Sequence, residues 1–297
     1  MKVRAPGKLM LTGSYVVLDG APAIVLAVNR HAIADGSRID PKPSAEIAWA
    51  LKEAPAVDVT ALHEGATKLG LGSSAAALVA ALGIEEARAD RDLGADDVRR
   101  RIFERAREAH GAVQGGGSGV DIAASVFGGV LAYRLGAGSA YEVHPLAIPE
   151  GLVIEAWFAG RSARTSEMRA KVDALATRAP ETHRSIYGSL RDAAEGARAA
   201  FEVGNVAAFL AAAKAAQRGL TALAKESSAP IVPEDAAALA ASAEASGSVF
   251  LPSGAGGGDV FVHLGHTPST RPFTTEIERF GWKRLSFDID PIGVSRL

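Results

Sequence analysis

The sequence predicts an α+β protein built in two parts. Short apolar runs between turns fill residues 3–34. Long alanine-rich stretches at helical spacing dominate the second half, and strand-like runs return only after them. Strands and helices are therefore grouped rather than alternating, which argues against a regular βαβ array. A Pro- and Gly-bearing break near Pro145 to Gly151 divides residues 1–148 from residues 149–297. A chain of 297 residues can bury the core of one large or two modest domains.

Taken in order, Leu9-Met10-Leu11, Val16-Val17-Leu18 and Ala23 to Val28 read as strands. Ser44 to Leu51 and Ala56 to Leu62 are weaker strand signals. The alanine run from Ala75 predicts a helix over 73–88. A second helix is expected over 95–112, with Val98, Ile102, Phe103 and Ala106 on its buried face and an Arg- and Glu-rich solvated face opposite. His110 and Gln114 are read as residues of that helix's surface. A turn of helix after Asp121 leads to a strand at Val130 to Arg134.

Leu152 to Phe158 opens the second half as a strand. Helices follow over 165–178, 181–203 and 205–225, and Pro233-Glu234-Asp235 starts another, with proline in its first turn. Strands at Val249 to Leu251 and Val260 to His263, a helix from Thr274 to Phe280 and a strand near Arg284 to Phe287 complete the chain. All three tryptophans read as core or interface residues.

Composition narrows the function classes. A formal net charge of -2 gives no basic field for nucleic acid. No apolar run approaches the roughly 20 residues that span a bilayer, and the N-terminus lacks a signal-peptide core. With no cysteine there is neither a disulfide framework nor a thiolate metal site. The histidines show no i, i+4 pairing of the zinc type. A cytoplasmic protein acting on a small molecule, with no nucleic-acid or membrane partner, fits these bounds, as a monomer or a homodimer.

Three glycine-rich segments carry the chemistry. In Lys68 to Ala77, Gly70 and Gly72 let backbone amides approach an anion, and Ser73 and Ser74 supply hydroxyls for phosphate oxygens or a magnesium ion. The helix that follows offers free N–H groups and a partial positive charge at its N-terminus. No lysine follows the last glycine, so this is not a Walker P-loop. Taken alone, the segment could equally be an N-cap before an alanine-rich helix. The other two segments are Ala5 to Tyr15, containing Pro6-Gly7-Lys8, and Pro252 to Asp259.

In order and spacing these segments resemble the three motifs of the GHMP kinases: Ala5-Pro6-Gly7-Lys8-Leu9, Gly70-Leu71-Gly72-Ser73-Ser74-Ala75-Ala76 and Pro252-Ser253-Gly254-Ala255-Gly256-Gly257-Gly258-Asp259. The resemblance covers almost the whole chain. It implies an α+β two-domain fold, with a ribosomal protein S5 domain 2-like N-terminal half and a ferredoxin-like α/β-plait C-terminal half. Within the family, the third segment, Ser118 to Ala124 and Trp157 to Ser166 are most like phosphomevalonate kinases. Mevalonate kinases fit nearly as well through Ser118-Gly119-Val120-Asp121 and Phe127-Gly128-Gly129.

The implied reaction is phosphoryl transfer from ATP with Mg2+ to (R)-5-phosphomevalonate. The alternatives are an alcohol acceptor such as mevalonate, or a silent nucleotide-binding relative, against which the presence of both Lys8 and Asp121 argues. Such chemistry rests on positioning and charge neutralisation. By resemblance, Lys8 and Asp121 are the catalytic pair. Gly70, Leu71, Gly72, Ser73, Ser74 and Ala75, with Gly254, Ala255, Gly256 and Gly257, hold the nucleotide, and Ser74 ligates magnesium. A phosphomonoester acceptor is already largely dianionic, its second pKa being about 6, so Asp121 acts there mainly by holding Lys8 and the acceptor in line.

Oxyanions of the acceptor call for cations and hydroxyls. Tyr15, Ser118, Arg161, Arg164, Thr165, Ser166 and Ser253 are the expected substrate-binding residues. Asp259 reads as a turn or solvent-facing residue. Ser14 stands where many members carry glutamate, which removes one possible partner for Lys8.

Overall fold

The structure is a computed structural model that describes residues 1–138, 140–161 and 165–297, with Thr165 described by its backbone alone. The first half runs β1 (Lys2–Thr12), β2 (Pro22–Ile39), α1 (Ala45–Ala50), β3 (Pro55–Asp58), β4 (His63–Glu64), β5 (Thr67–Lys68), α2 (Ser73–Arg88), α3 (Asp96–Gln114), α4 (Val120–Phe127), β6 (Val130–Leu135) and β7 (Tyr141–Leu146). The second half runs β8 (Val153–Phe158), α5 (Thr165–Arg178), α6 (Pro180–Glu202), α7 (Val206–Ser227), α8 (Glu234–Ala245), β9 (Val249–Pro252), β10 (Val260–Gly265), α9 (Arg271–Arg279), β11 (Lys283–Leu285) and β12 (Ser295–Arg296).

The first sheet has the order β12-β1-β2-β6-β7 and is antiparallel throughout. The long β2 pairs with β6 through Pro22 to Leu26 and with β3 through Ile33 to Ile39. Helix α2 is buried along most of its length, from Ala75 to Ala87, because its alanines let it lie close to β1 and β2. Helices α3 and α4 complete that layer.

The second sheet has the order β11-β8-β10-β9, again antiparallel. Two interlocked βαβ units with this strand order make the ferredoxin-like plait. Its strands alternate in the expected period of two. Trp157, Phe250 and Phe261 face a cluster with Phe273, Ile277 and Trp282, whereas Ala156, Phe158, Val260 and Val262 face the larger core shared with the first half.

The tail then crosses back, and β12 pairs with β1. Asp290 anchors this return. Its carboxylate accepts from His31 Nε2 at 2.6 Å and from the amides of Ile292 and Gly293 at 2.9 and 2.8 Å.

Several sequence expectations need correction. Ser44 to Leu51 is not a strand but α1 with its caps. The Ser44 hydroxyl accepts from the Ile47 amide at 3.4 Å, and the alanine content favours helix once that cap forms. Val16 to Asp19 is a 3-10 turn rather than a strand, closed by the Leu18 amide on the Tyr15 carbonyl at 3.2 Å. Only Pro55 to Asp58 of the next expected strand is extended, and Thr60 to Leu62 forms a second 3-10 turn. Strand β7 has no counterpart in the sequence reading, since it carries Pro145 and lies at the sheet edge, where proline is tolerated. Trp157 and Trp282 are buried as expected, but Trp49 is 50% exposed on α1.

Candidate active site

The β4–β5 hairpin delivers the chain to Gly70 and Gly72, both in the left-handed region at φ 75° and 74°. A side chain would crowd both, most severely at Gly70. A Cβ at Gly70 would stand 2.6 Å from Asp259 Cβ, and one at Gly72 would stand 3.1 Å from Lys8 Cγ and 3.5 Å from Asp121 Cβ. Glycine therefore lets the second motif lie directly on the other groups of the site. Gly72 is also the N-cap of α2, and no side chain caps that helix start. Amides of its first turn are thus left for an external acceptor.

Ser73 is buried, its hydroxyl 3.4 Å from His63 Nε2. Ser74 is more open and accepts from Lys68 Nζ at 3.4 Å. The Leu71 carbonyl accepts from the Lys8 amide at 2.9 Å, and Ala75 is buried at the helix start.

Strand β1 carries Lys8 into the space beneath this turn. Its Nζ donates to the carbonyls of Gly70 at 3.2 Å and Ser253 at 3.4 Å. Burial lowers the Lys8 pKa, while the carboxylates of Asp121 and Asp259 act to raise it. Asp121 sits in the first turn of α4, where its Oδ1 accepts from the Ile122 amide at 3.0 Å. Ser14 makes no contribution to Lys8. It is buried, and its hydroxyl is 3.6 Å from Met10 Sδ. The charges balancing Lys8 thus come from Asp121 and Asp259, one from each half of the chain.

The third segment closes the site. Ser253 accepts from the Met10 amide through its hydroxyl at 2.8 Å, so that side chain ties β1 to the second half. Gly254 lies beside Lys8, a Cβ there standing 3.5 Å from Nζ. Tyr15 donates its hydroxyl to the Ala255 carbonyl at 2.7 Å. Gly256 and Gly257 lie on the backbone of Ile231, which accepts from the Gly257 amide at 3.0 Å.

The expected acceptor residues are spread more widely. Ser118 lends its carbonyl to the Tyr133 hydroxyl, and its own hydroxyl accepts from the Val120 amide at 3.4 Å. Arg161 is held by the Asp235 carboxylate at 2.9 and 2.6 Å and packs against Gly258. Ser166 is exposed in the first turn of α5. Arg164 and the Thr165 side chain lie outside the described residues.

Sequence reasoning missed three features of the site. Asp259 is not a bystander of a turn, because it packs on Gly70 and its charge reaches Lys8. Lys68 faces Ser74, and its position at the head of the second glycine segment was the available signal. His110 is turned inward to Glu46 rather than lying on a helix surface. Nothing local marked that pair.

A half-buried cation, a carboxylate near it and an uncapped helix start brought together suit transfer of a phosphoryl group. They bind, orient and neutralise, and such transfer demands little covalent chemistry of the protein. Comparison with known proteins agrees. A family model described as the GHMP kinases N terminal domain matches residues 44–129. A mevalonate kinase of Archaeoglobus fulgidus is 30% identical over 211 residues, spanning 64% of this chain and 69% of that protein. The chain belongs to the GHMP kinase family. As a member of that family it is a phosphotransferase that uses ATP.

A phosphomevalonate kinase of Streptomyces sp. (strain CL190) is 28% identical to this GHMP kinase across 93% of this chain and 92% of that protein. A structure of Streptococcus pneumoniae phosphomevalonate kinase in complex with phosphomevalonate and AMPPNP superposes with a TM-score of 0.81 at 16% identity, covering 97% of this chain and 99% of that one. Among the described residues of this GHMP kinase, no helix is long and apolar enough to cross a membrane.

Proposed function

We propose that this kinase transfers the γ-phosphoryl group of ATP to a phosphate oxygen of (R)-5-phosphomevalonate, giving the 5-diphosphate and ADP. The observation that carries the reading is the placement of Gly72 directly against both Lys8 and Asp121. The names of the Streptomyces and Streptococcus relatives support the choice of acceptor.

The residues present fit a magnesium nucleotide. The start of α2 has no side-chain cap, Cβ atoms would crowd the glycines before it, and Ser74 keeps a partly open hydroxyl. In this reading the backbone from Gly70 to Ser74 binds the β- and γ-phosphates, with Lys68 beside them. Ser74 would hold magnesium, which when bound supplies charge neutralisation on the phosphate oxygens. Lys8 neutralises charge at the reacting oxygen. Asp121 fixes Lys8 and orients the acceptor, whose dianionic phosphate needs no strong base. The third segment lies against the cation through Gly254 and the Ser253 carbonyl.

A second reading, an alcohol acceptor such as mevalonate, is favoured by one feature. Arg161, expected to grip the acceptor's oxyanions, already donates through Nη2 to both oxygens of Asp235. The Archaeoglobus match points the same way. ADP release measured in parallel with phosphomevalonate, mevalonate and homoserine decides between them. Phosphomevalonate is expected to give the highest kcat/KM. Turnover with mevalonate alone would replace the first reading by the second.

A further inference from the structure

Glu46 is a carboxylate with 4% exposure in the first turn of α1. A single oxygen of it, Oε1, accepts from His110 Nδ1 at 3.0 Å and from Gln114 Nε2 at 2.9 Å, across 64 and 68 residues of sequence. Burying a carboxylate is costly unless its charge is balanced. No phosphate-binding or metal role assigned above uses this pair.

The other edge of the imidazole is aimed at the turn that carries Asp121. A Cβ at Gly117 would stand 2.7 Å from His110 Cδ2 and 2.9 Å from its Nε2. Gly117 therefore lies on the ring with no side chain between. The same turn is gripped farther along, where Tyr133 donates to the Ser118 carbonyl and the Arg107 stem packs against Gly119. Two residues on, the chain enters α4 and presents Asp121.

We infer that His110, clamped by Glu46, is a positioning residue for Asp121. It fixes the Gly115–Gly119 turn from the side of α1 and α3, so that the carboxylate stays aligned with Lys8. The inference rests on the kinase reading for its kinetic consequences and on geometry alone for its structural one.

The electrostatics agree. The hydrogen bond to Glu46 raises the His110 pKa, burial opposes it, and the charge of Asp121 raises it again. The charged groups around the imidazole are Glu46 on α1, Asp121 on α4 and, on its own helix, Arg107. Lys68 on β5 acts on Glu46 in turn. Glu46 and Asp121 thus shift the balance toward the imidazolium, and the clamp weakens as pH rises through the raised pKa.

Two variants test this. His110→Asn keeps a donor where Nδ1 stands and removes the ring edge and the charge. Glu46→Gln keeps the shape of the clamp without the carboxylate. At saturating ATP and acceptor, kcat of His110→Asn is expected to fall about tenfold or more, with the KM for ATP within threefold. The wild type is expected to lose kcat as pH rises through the raised His110 pKa, and that fall should vanish in His110→Asn and move to lower pH in Glu46→Gln. A kcat within twofold of wild type with an unchanged pH profile would overturn the inference, as would a loss seen only in thermal stability.

Amide hydrogen exchange over residues 115–121 of the free protein gives a readout independent of the acceptor. Exchange should quicken in both variants. Faster exchange without turnover on any acceptor would sink the substrate assignment and leave the clamp standing. Unchanged exchange would sink the clamp whatever the acceptor. Should His110→Asn fail to fold, Glu46→Gln and the wild-type pH profile carry the test.

Discussion

Gly72→Ala probes the meeting of the motifs more sharply than deletion of any charged group. Two costs can be separated. The φ of 74° is strained for any residue with a Cβ, at about 1–2 kcal/mol. The added methyl would also stand 3.1 Å from Lys8 Cγ, so Lys8 must give by a few tenths of an ångström. It has little freedom to do so, because its Nζ is held by the carbonyls of Gly70 and Ser253. Gly65→Ala is the control. Gly65 has a φ of 58° in the β4–β5 turn, and a methyl added there would meet nothing within 4 Å, so it carries the strain without the clash. Both variants should melt about 2–3 °C below wild type by scanning calorimetry. Only Gly72→Ala should lose turnover in the ADP-release assay, by about a hundredfold if Lys8 moves toward 1 Å. Equal turnover in the two variants would refute the claim that Gly72 borders the reacting centre.

Asp290 gives a pH prediction. Burial pushes its carboxyl up, but bonds from His31 and from the Gly293 and Ile292 amides bring it from 3.8 down to about 2. A group lowered in the folded state stabilises above its unfolded pKa, here by about 2 kcal/mol, and that contribution is lost as pH falls from about 4 to 2. Thermal melts of Asp290→Asn should therefore lie below wild type at pH 7, with the gap narrowing on acidification below pH 4. A gap that is constant with pH would contradict the assignment. Ser253→Ala should cost about 1–2 kcal/mol of stability by leaving the Met10 amide unpartnered in a buried site. Its acceptor KM should stay near wild type if that hydroxyl is a tie between the halves. A large rise in KM with no change in melting temperature would restore Ser253 as a substrate ligand.

What can be read from the sequence is whatever local forces decide. Gly72 followed by Ser73, Ser74 and an alanine run announces a helix start, and Pro233 does the same for α8, because caps and propensities act within a few residues. Helix α1 reads as a strand because Ala, Ile and Trp between Ser44 and Leu51 fit a short strand as well as a helix, and only the Ser44 cap separates the two. Strand β12 leaves no signal because two residues pair with β1 from the far end of the chain. At the site, the order of motifs points to Lys8 and Asp121, but not to the carboxylate that joins them. Asp259 reaches Lys8 only when the third glycine segment folds onto Gly70 and β1, and Glu46 meets His110 only when α1 packs on α3. Ser14 shows the converse. Its difference from the family pattern is plain in the sequence, while the second acidic partner of Lys8 is not.

The central claim is that three separated glycine segments make one phosphoryl-transfer site around Lys8. Turnover of Lys8→Met, measured by ADP release at saturating ATP with the acceptor that the wild type uses, tests it most directly. The account predicts a loss of about a hundredfold or more, with nucleotide still bound by the Gly70–Ser74 turn. Turnover within a few-fold of wild type would contradict it.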